Sequence, residues 1–589
     1  MLLNSIANML PENEKSGNTF VSDQTPCLIF RHYDAITYDD KVLLRYFVGP
    51  KNRPCEPTVG DTYTVAVTYN GNTVKKTTYK GYYEMEVSDL IMGESHIEVQ
   101  VVDSNGVESP LHMLPIYRKV YNEPKVYTMT NEDLDTFGIV LGKDVTVQTA
   151  IANKKGLTDL FTWCKGHRYD KIVMVNGLYM IDYHKASMSG AGDDIEFPSG
   201  FTIDMNGAEV KVMQSVDLKQ AQMIYIKNCI DTHIENGKIT GSYHGFDFDE
   251  TKKNMPGEIP GEQLCCIRIG NSKYCTLRNL EISNAVGYDN MYMNGDVSGI
   301  YSTGRCLFSD AKQGYIDYDG NVIEDEAMRY TDNYYSVGQE TRLKFCQFLG
   351  MGGFFGSRRE IFVSFYDNDR NFIKTIKTQQ YYYVPVPGDA RYFRLSAYGT
   401  AATLYPSDTS RGLRGMRSTD NVGIEIADCY LHDTRSCCLT DPTGYHFTYR
   451  NLRFERIGIE RKYSVTPLLM DSEDQFQNYN YVFFDGCWLE GSGCNEFAFT
   501  YGFNVVFENC RNVVVRNVNG GLEKCMFLNN HFTQVQWTFN QKSPYPQSVW
   551  SNNKIDGLSI KTGEGCLDTN IDMWNCEVPE YIGIKNWKQ

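Results

Sequence analysis

In the C-terminal part of the chain an Asn, Asp or Gly recurs three positions ahead of an apolar residue. The copies are Asp428-Cys-Tyr-Leu431, Asn451-Leu-Arg-Phe454, Gly486-Cys-Trp-Leu489, Asn529-Asn-His-Phe532, Asn552-Asn-Lys-Ile555 and Asn575-Cys-Glu-Val578. A weaker copy begins at Asn509, where the apolar residue slips to Val513, and successive spacings are 23, 35, 23, 20, 23 and 23. Earlier copies, Asn236-Gly-Lys-Ile239 and Asn279-Leu-Glu-Ile282, stand 43 apart, about two such units. A coil of roughly 22–24 residues holding three short strands places equivalent side chains above one another. Asn and Gly suit the corner between strands because both tolerate φ > 0. Cys429, Cys487, Cys510 and Cys576 each follow a corner by one residue and predict one inner column. Runs such as Val505-Val-Phe507 and Val513-Val-Val515 have strand composition. The pattern predicts a parallel β-helix.

Its start is legible in Asp144-Val-Thr-Val-Gln148-Thr-Ala-Ile151, which leads into a helical stretch through Leu160, Phe161 and Trp163. An amphipathic helix there would cap the open end of the coil and cover its exposed edge. Strand runs at Lys171–Val175, Tyr179–Ile181 and Phe201–Met205 follow. Ahead of it, residues ~23–120 carry strand-length apolar runs (Val42–Val48, Tyr63–Tyr69, His96–Val102) punctuated by Asn70-Gly71 and Asn105-Gly106. Seven or so short strands in that space predict an immunoglobulin- or fibronectin-like sandwich. Between Asn279 and Asp428 the repeat is lost and hairpin patterns appear at Gly314–Asn321 and Ile361–Ile373, so a second β module is inserted. The expected division is 1–122, N-terminal sandwich; 123–304, capping helix and first β-helix part; 305–412, insert; 413–589, second β-helix part.

Charge narrows the partners. The 57 Lys+Arg against 73 Asp+Glu give a net −16, which argues against nucleic acid and against anionic membranes. No apolar run approaches a membrane span, and the N-terminal residues lack a basic, then apolar, secretion pattern. The 18 Cys are spread over the chain without a C-x-x-C, so reduced buried thiols are expected, with no metal and no cofactor.

The Asp-x-x-x-Gln-x-Ala-Ile opening, the capping helix, the Asn176-Gly-x-Tyr179 strand and Pro198-Ser-Gly-Phe-Thr-Ile203 resemble the head of the pectate-lyase-like right-handed β-helices of bacteriophage tailspikes and tail fibres. The likeness covers roughly 144–304 and 413–589. The Phe-Tyr-Asp-x-(x)-x-x-Phe-Ile hairpin and the Pro-x-x-Ala-x-Tyr-x-Arg-x-Ser strand of the insert resemble jelly-roll, carbohydrate-binding-like modules of phage baseplate and fibre proteins. The resemblance implies an all-β virion tail component made in the host cytoplasm and assembled as a homotrimer. It would recognise, and in its enzymatic form depolymerise, a host surface polysaccharide. By analogy the N-terminal sandwich would anchor it to a tail or baseplate protein, with a mere spacer as the alternative. A non-catalytic receptor-binding or structural appendage, and a polysaccharide hydrolase or lyase unrelated to phage, are the other readings. Glycan, host and linkage are not specified.

For the chemistry, acids at equivalent positions one or two coils apart would lie about 4.8 or 9.6 Å apart along the axis, bracketing the separations that glycosidase carboxylate pairs need. The stretch Asp471-Ser-Glu473-Asp474 falls in the 35-residue unit and is the first candidate. Glu473 is expected to be the general acid, its pKa raised by Asp474, with Asp471 or Asp441 as base or nucleophile. Asp433 completes the set. Substrate contacts are expected from His432 and Arg435 beside it, from Asp289, and from Tyr381 and Tyr383, which could stack on sugar rings.

Overall fold

At each recurrence of the corner motif the backbone passes through the left-handed region: φ is 61° at Asn236, 51° at Asn279, 56° at Asp428, 52° at Asn451, 64° at Gly486, 57° at Asn509, 54° at Asn529, 55° at Asn552 and 51° at Asn575. These corners stack. Asn279 Nδ2 donates to Asn236 Oδ1 at 2.9 Å, Asn451 Nδ2 to Asp428 Oδ1 at 2.9 Å, and Asn575 Nδ2 to Asn552 Oδ1 at 2.6 Å. Each amide thus satisfies the corner of the coil before it. The structure, a computed structural model, describes residues 26–50, 61–182, 195–213, 223–241, 265–285, 289–294, 310–338, 340–347, 360–379, 382–398, 413–416, 421–434, 437–440, 444–457, 468–470, 479–490, 496–499, 502–517, 522–539, 548–563, 571–577 and 585–587.

Three columns of parallel strands form the β-helix. The first, before the corner, runs through Asn421–Ala427, Gly444–Arg450, Tyr479–Asp485 and Gly502–Glu508, each paired in parallel with the next. The second, after the corner, runs through Tyr430–Thr434, Arg453–Ile457 and Trp488–Glu490. The third runs through Cys437–Thr440, Leu468–Met470 and Glu496–Phe499. Strands Thr276–Ser283 and Asp289–Asn294 pair directly with strands 421–427, 430–434 and 437–440, so the coil continues across the insert. Inside, Tyr449, Phe484, Phe507, Phe527 and Trp550 form a continuous stack with neighbouring centroids 3.9–5.5 Å apart. Such pairs add about 0.5–1.5 kcal/mol each beyond the area they bury. Cys429, Cys487 and Cys510 are buried free thiols one residue past their corners, and Cys576 packs partly buried against the same core.

Helix Val147–Gly166 closes the N-terminal end. Thr146 caps it, its side chain accepting from Thr149 N at 3.2 Å, and Ala150, Leu157, Leu160, Phe161 and Cys164 face the core. Among the described residues no helix is long and apolar enough to cross a membrane.

Residues 26–50 and 61–118 form a three-stranded and a five-stranded sheet, mostly antiparallel, with Asn70-Gly71 turning one hairpin as its sequence demands. This unit lies against the outer face of the first strand column. Asn504 clamps the backbone of Phe30, accepting from its N at 2.6 Å and donating to its O at 2.8 Å. His112 Nδ1 meets Tyr481 OH at 2.8 Å, Tyr445 OH donates to Met113 O, and Tyr117 stacks on Tyr274 at 4.8 Å. The strands beneath are therefore buried on both faces, as Val422, Ile424 and Ile426 show. At this seam Tyr274, His446, Tyr481 and Asn504 all take positive φ, between 53° and 63°. Bulky residues pay a steric cost there, and the packing of the two units over them holds the conformation.

The insert carries one antiparallel sheet around Glu360–Tyr366, Phe372–Gln379 and Tyr392–Tyr398 and a smaller one around Arg342–Gln347. The hairpin at 361–373 forms as the sequence predicts, turning through Asp367–Asn371. Leu111 of the N-terminal unit joins its core and donates from N to Lys377 O at 3.0 Å.

Candidate functional site

Strand alternation decides which side chains the second column shows to solvent. Ile239, Ile282, Leu431, Phe454 and Leu489 point into the core. The residues on either side of each point out. Lys238, Glu281, Tyr430, Arg453 and Trp488 form one outward row, since each is the register partner of the next. Thr240, Ser283, His432, Glu455 and Glu490 form the row beside it, of which Ser283 and His432 are covered and buried. Backbones in each row are about 4.8 Å apart.

The two rows are knitted together by charge and ring contacts. Tyr430 stacks on His432 with centroids 4.1 Å apart, and the Arg453 guanidinium lies 4.4 Å from the Tyr430 centroid. Arg453 bridges Glu455 at 2.9 Å and Glu490 at 2.5 Å, while Trp488 Nε1 donates to Glu490 at 3.3 Å. Lys238 pairs with Glu281 at 2.8 Å, and His432 Nε2 lies 3.4 Å from Glu281. Where the second column ends, Asp433 accepts from Arg456 Nε at 2.6 Å and contacts His432 Nδ1 at 2.6 Å. Asn284, Asp433 and Arg456 form a second left-handed corner there, with φ of 58°, 50° and 48°.

Three carboxyls of this flank, Asp433, Glu455 and Glu281, are held ionised. Burial pushes Asp433 up, but hydrogen bonds from Arg456 and His432 outweigh it and leave the pKa below its ordinary value. The Tyr430 hydroxyl does the same for Glu455, and Lys238 for Glu281 against its burial. Among the described residues of the flank, Arg453 Nε and His432 Nε2 are buried without a hydrogen-bond partner. Aromatic faces, a spare guanidinium donor and fixed carboxylate acceptors equip this flank to hold a neutral polyhydroxylated chain. With their carboxyls deprotonated, Asp433, Glu455 and Glu281 offer bases and anions rather than a carboxylic acid. Among the described residues no group of three or more His, Cys, Asp or Glu is arranged to hold a metal ion.

Of the sequence-predicted residues, His432 and Asp433 sit together at the edge of this flank. Asp289 begins the strand Asp289–Asn294 in the third column, beside Cys437. Its neighbour Asn290 ties the two columns, donating to Ile282 O at 3.1 Å and His432 O at 3.0 Å. Tyr383 corrects the expectation of an exposed sugar platform. It is 1% exposed, its ring 4.7 Å from Tyr445 and covered by Arg342 at 4.6 Å, and it packs where the insert meets the β-helix. Asp441, Asp471, Glu473, Asp474, Arg435 and Tyr381 lie outside the described residues. The residues that sequence reasoning passed over, Tyr430, Arg453, Glu455, Trp488 and Glu490, flank the apolar position of each repeat, so alternation about Leu431, Phe454 and Leu489 marks them.

No protein-family model matches the chain, and no curated protein matches it. Among solved structures the chain is similar to the A-module of the mannuronan C-5 epimerase AlgE4 of Azotobacter vinelandii, at 9% identity and TM-score 0.33, covering 77% of this chain and 99% of that one. It is similar to a tailspike protein mutant of E. coli bacteriophage HK620 in complex with hexasaccharide, at 10% identity and TM-score 0.33, covering 76% and 65%. A third is the catalytic unit of the thermostable alpha-1,3-glucanase of Streptomyces thermodiastaticus, at 8% identity and TM-score 0.31, covering 96% and 98%. Likenesses this distant assign no activity, and the parallel β-helix rests on the strand pairing of this chain.

Proposed function

We propose that this protein recognises a surface polysaccharide along the outer flank of its β-helix, as a tail spike or fibre component of a bacteriophage or prophage. The observation that carries the reading is the pair of outward rows, in which Tyr430, Arg453 and Trp488 recur at coil spacing beside the unpartnered Arg453 Nε. A linear glycan has apolar ring faces and hydroxyls along its length, and such a ladder meets both. The phage setting rests on the resemblance of the Asp144–Ile151 opening, the capping helix, the Asn176-Gly-x-Tyr179 strand and the Pro198–Ile203 stretch. In it the N-terminal sandwich faces the tail or baseplate, and three copies associate side by side.

Cleavage is the second reading. The flank's ionised carboxylates suit binding, a base or a nucleophile, so the acid is assigned to Glu473, with Asp471, Asp474 and Asp441 as partners. The test uses purified capsular and wall polysaccharides, with retention on immobilised protein for binding and size-exclusion profiles for chain length. Changing Trp488 or Arg453 to Ala is expected to weaken retention at least about tenfold, as loss of an aromatic or Arg anchor does. Retention equal to wild type would remove the flank from the reading. Glu473→Gln is expected to keep retention and abolish shortening; shortening at the wild-type rate would exclude Glu473. A wild type that binds every retained polymer without shortening it leaves recognition as the whole function. Light scattering that finds only monomer would count against the tail-spike assignment.

A further inference from the structure

The N-terminal unit contains a cleft of about 440 Å³ far from the flank in sequence, lined by Arg31, Arg45, Tyr46, Lys76, Tyr82, Tyr83 and Glu84. It opens where strands Val42–Pro50 and Gly81–Val87, paired through Arg45–Glu84 and Tyr46–Tyr83, approach strand Asn72–Thr78. Charge does not balance there. Arg31 pairs with Glu508 of the β-helix and Arg45 with Glu84 at 2.8 Å, whereas Lys76 Nζ finds a carbonyl, Glu84 O, at 3.3 Å. Three cations thus face two carboxylates, in a chain of net −16. Two polar groups are also left over: Arg31 Nε, and the hydroxyl of Tyr46, a residue only 1% exposed. Burial pushes the Tyr46 phenol up to about 12, so it stays protonated and can donate. Buried polar groups without partners are rare in folded proteins and call for a ligand or water. Tyr82 presents an exposed ring at the rim, and Lys76 rides 5.7 Å above Tyr83.

We propose that this cleft binds a carboxylated sugar, one uronate unit with its carboxylate between Lys76 and Arg31, its hydroxyls on Tyr46 and its ring face on the tyrosines. Cations alone would take any small anion; the aromatic wall adds the demand for a ring with an apolar face. The inference does not rest on the flank reading, because it concerns a different unit and a charged ligand.

The experiment titrates the full chain in low-salt buffer with sodium glucuronate, glucose and sodium acetate, followed by calorimetry and saturation-transfer NMR. Glucuronate is expected to bind at least about tenfold more tightly than either glucose or acetate, the one lacking the charge and the other the ring. Lys76→Gln, at an exposed position, is expected to weaken glucuronate about tenfold. Tyr46→Phe, which removes only an unpartnered hydroxyl and so keeps the fold, is expected to weaken it about threefold. Glucose or acetate binding as well as glucuronate, glucuronate failing to bind at 20 mM, or unchanged affinity in both variants would each overturn the proposal.

Discussion

Acidification should loosen the seam between the N-terminal unit and the β-helix, and His446 allows the size to be worked out. Its ring is 2% exposed, packed 4.4 Å from Tyr33 and 5.2 Å from Phe483. Burial lowers its pKa from 6.5 to about 3. The docked state therefore holds the neutral ring, and the opened or unfolded state takes up a proton first as the pH falls. Stability from this group is complete above about pH 6.5 and drains away between there and about pH 3. At pH 5 the linkage amounts to about 2 kcal/mol relative to pH 7. His112, fully buried at the same seam beside Lys524, is lowered by burial and works in the same direction. The measurement is hydrogen exchange of the amides of strands Pro26–Phe30 and His112–Arg118 at pH 7 and pH 5, corrected for intrinsic exchange rates. His446→Asn removes the titrating ring while keeping a residue that tolerates the left-handed backbone. That variant will be less stable at pH 7, having lost ring packing, but the seam's loss on going to pH 5 should shrink by about 2 kcal/mol. If wild type and variant lose the same amount, His446 is not the source and the reasoning fails.

Asn504→Ala should cost about 2–4 kcal/mol of docking, because it strands the N–H and C=O of Phe30 in a buried seam; faster proteolysis near residue 31 under native conditions reports it. Phe507→Ala breaks the internal stack between Phe484 and Phe527 and should cost about 3–5 kcal/mol. Denaturant unfolding reads that loss, and a cost under about 1 kcal/mol would mean that the stack adds little. Tyr430→Phe withdraws the hydroxyl that most depresses Glu455, so the Glu455 carboxyl should titrate at higher pH by carbon-detected NMR; an unmoved titration would assign its depression to the arginines instead.

The β-helix was legible because its corners admit few residue types. Asn451, Asn552 and Asn575 each meet a left-handed backbone and an amide ladder at once, and both demands select Asn over nearly everything else. The docking of the N-terminal unit was not legible. At its seam the same left-handed conformation is taken by Tyr274, His446 and Tyr481, which no local rule assigns to it, and the contacts join residues as far apart as Phe30 and Asn504. The aromatic run at Tyr381–Tyr383 shows a similar limit: a side chain that can stack on a sugar can equally fill an interface, and for Tyr383 the interface won. Acids drew attention for their chemistry, yet the flank is defined by the alternation that sets Tyr430 and His432 on either side of Leu431.

The Phe30–Asn504 clamp spans 474 residues, and during synthesis that separation becomes a delay. At about 5–20 residues per second Phe30 is made roughly 25–95 s before Asn504 exists. Throughout that interval Phe30 lacks its clamp, and Tyr33 and Met113 stay uncovered until His446 and Tyr445 are made. Their face is then an exposed apolar patch on a nascent chain, the kind of surface that chaperones hold and that premature contact between neighbouring chains exploits. Yield of the full-length protein should therefore depend on translation rate and on chaperone supply more steeply than yield of a chain lacking residues 26–118.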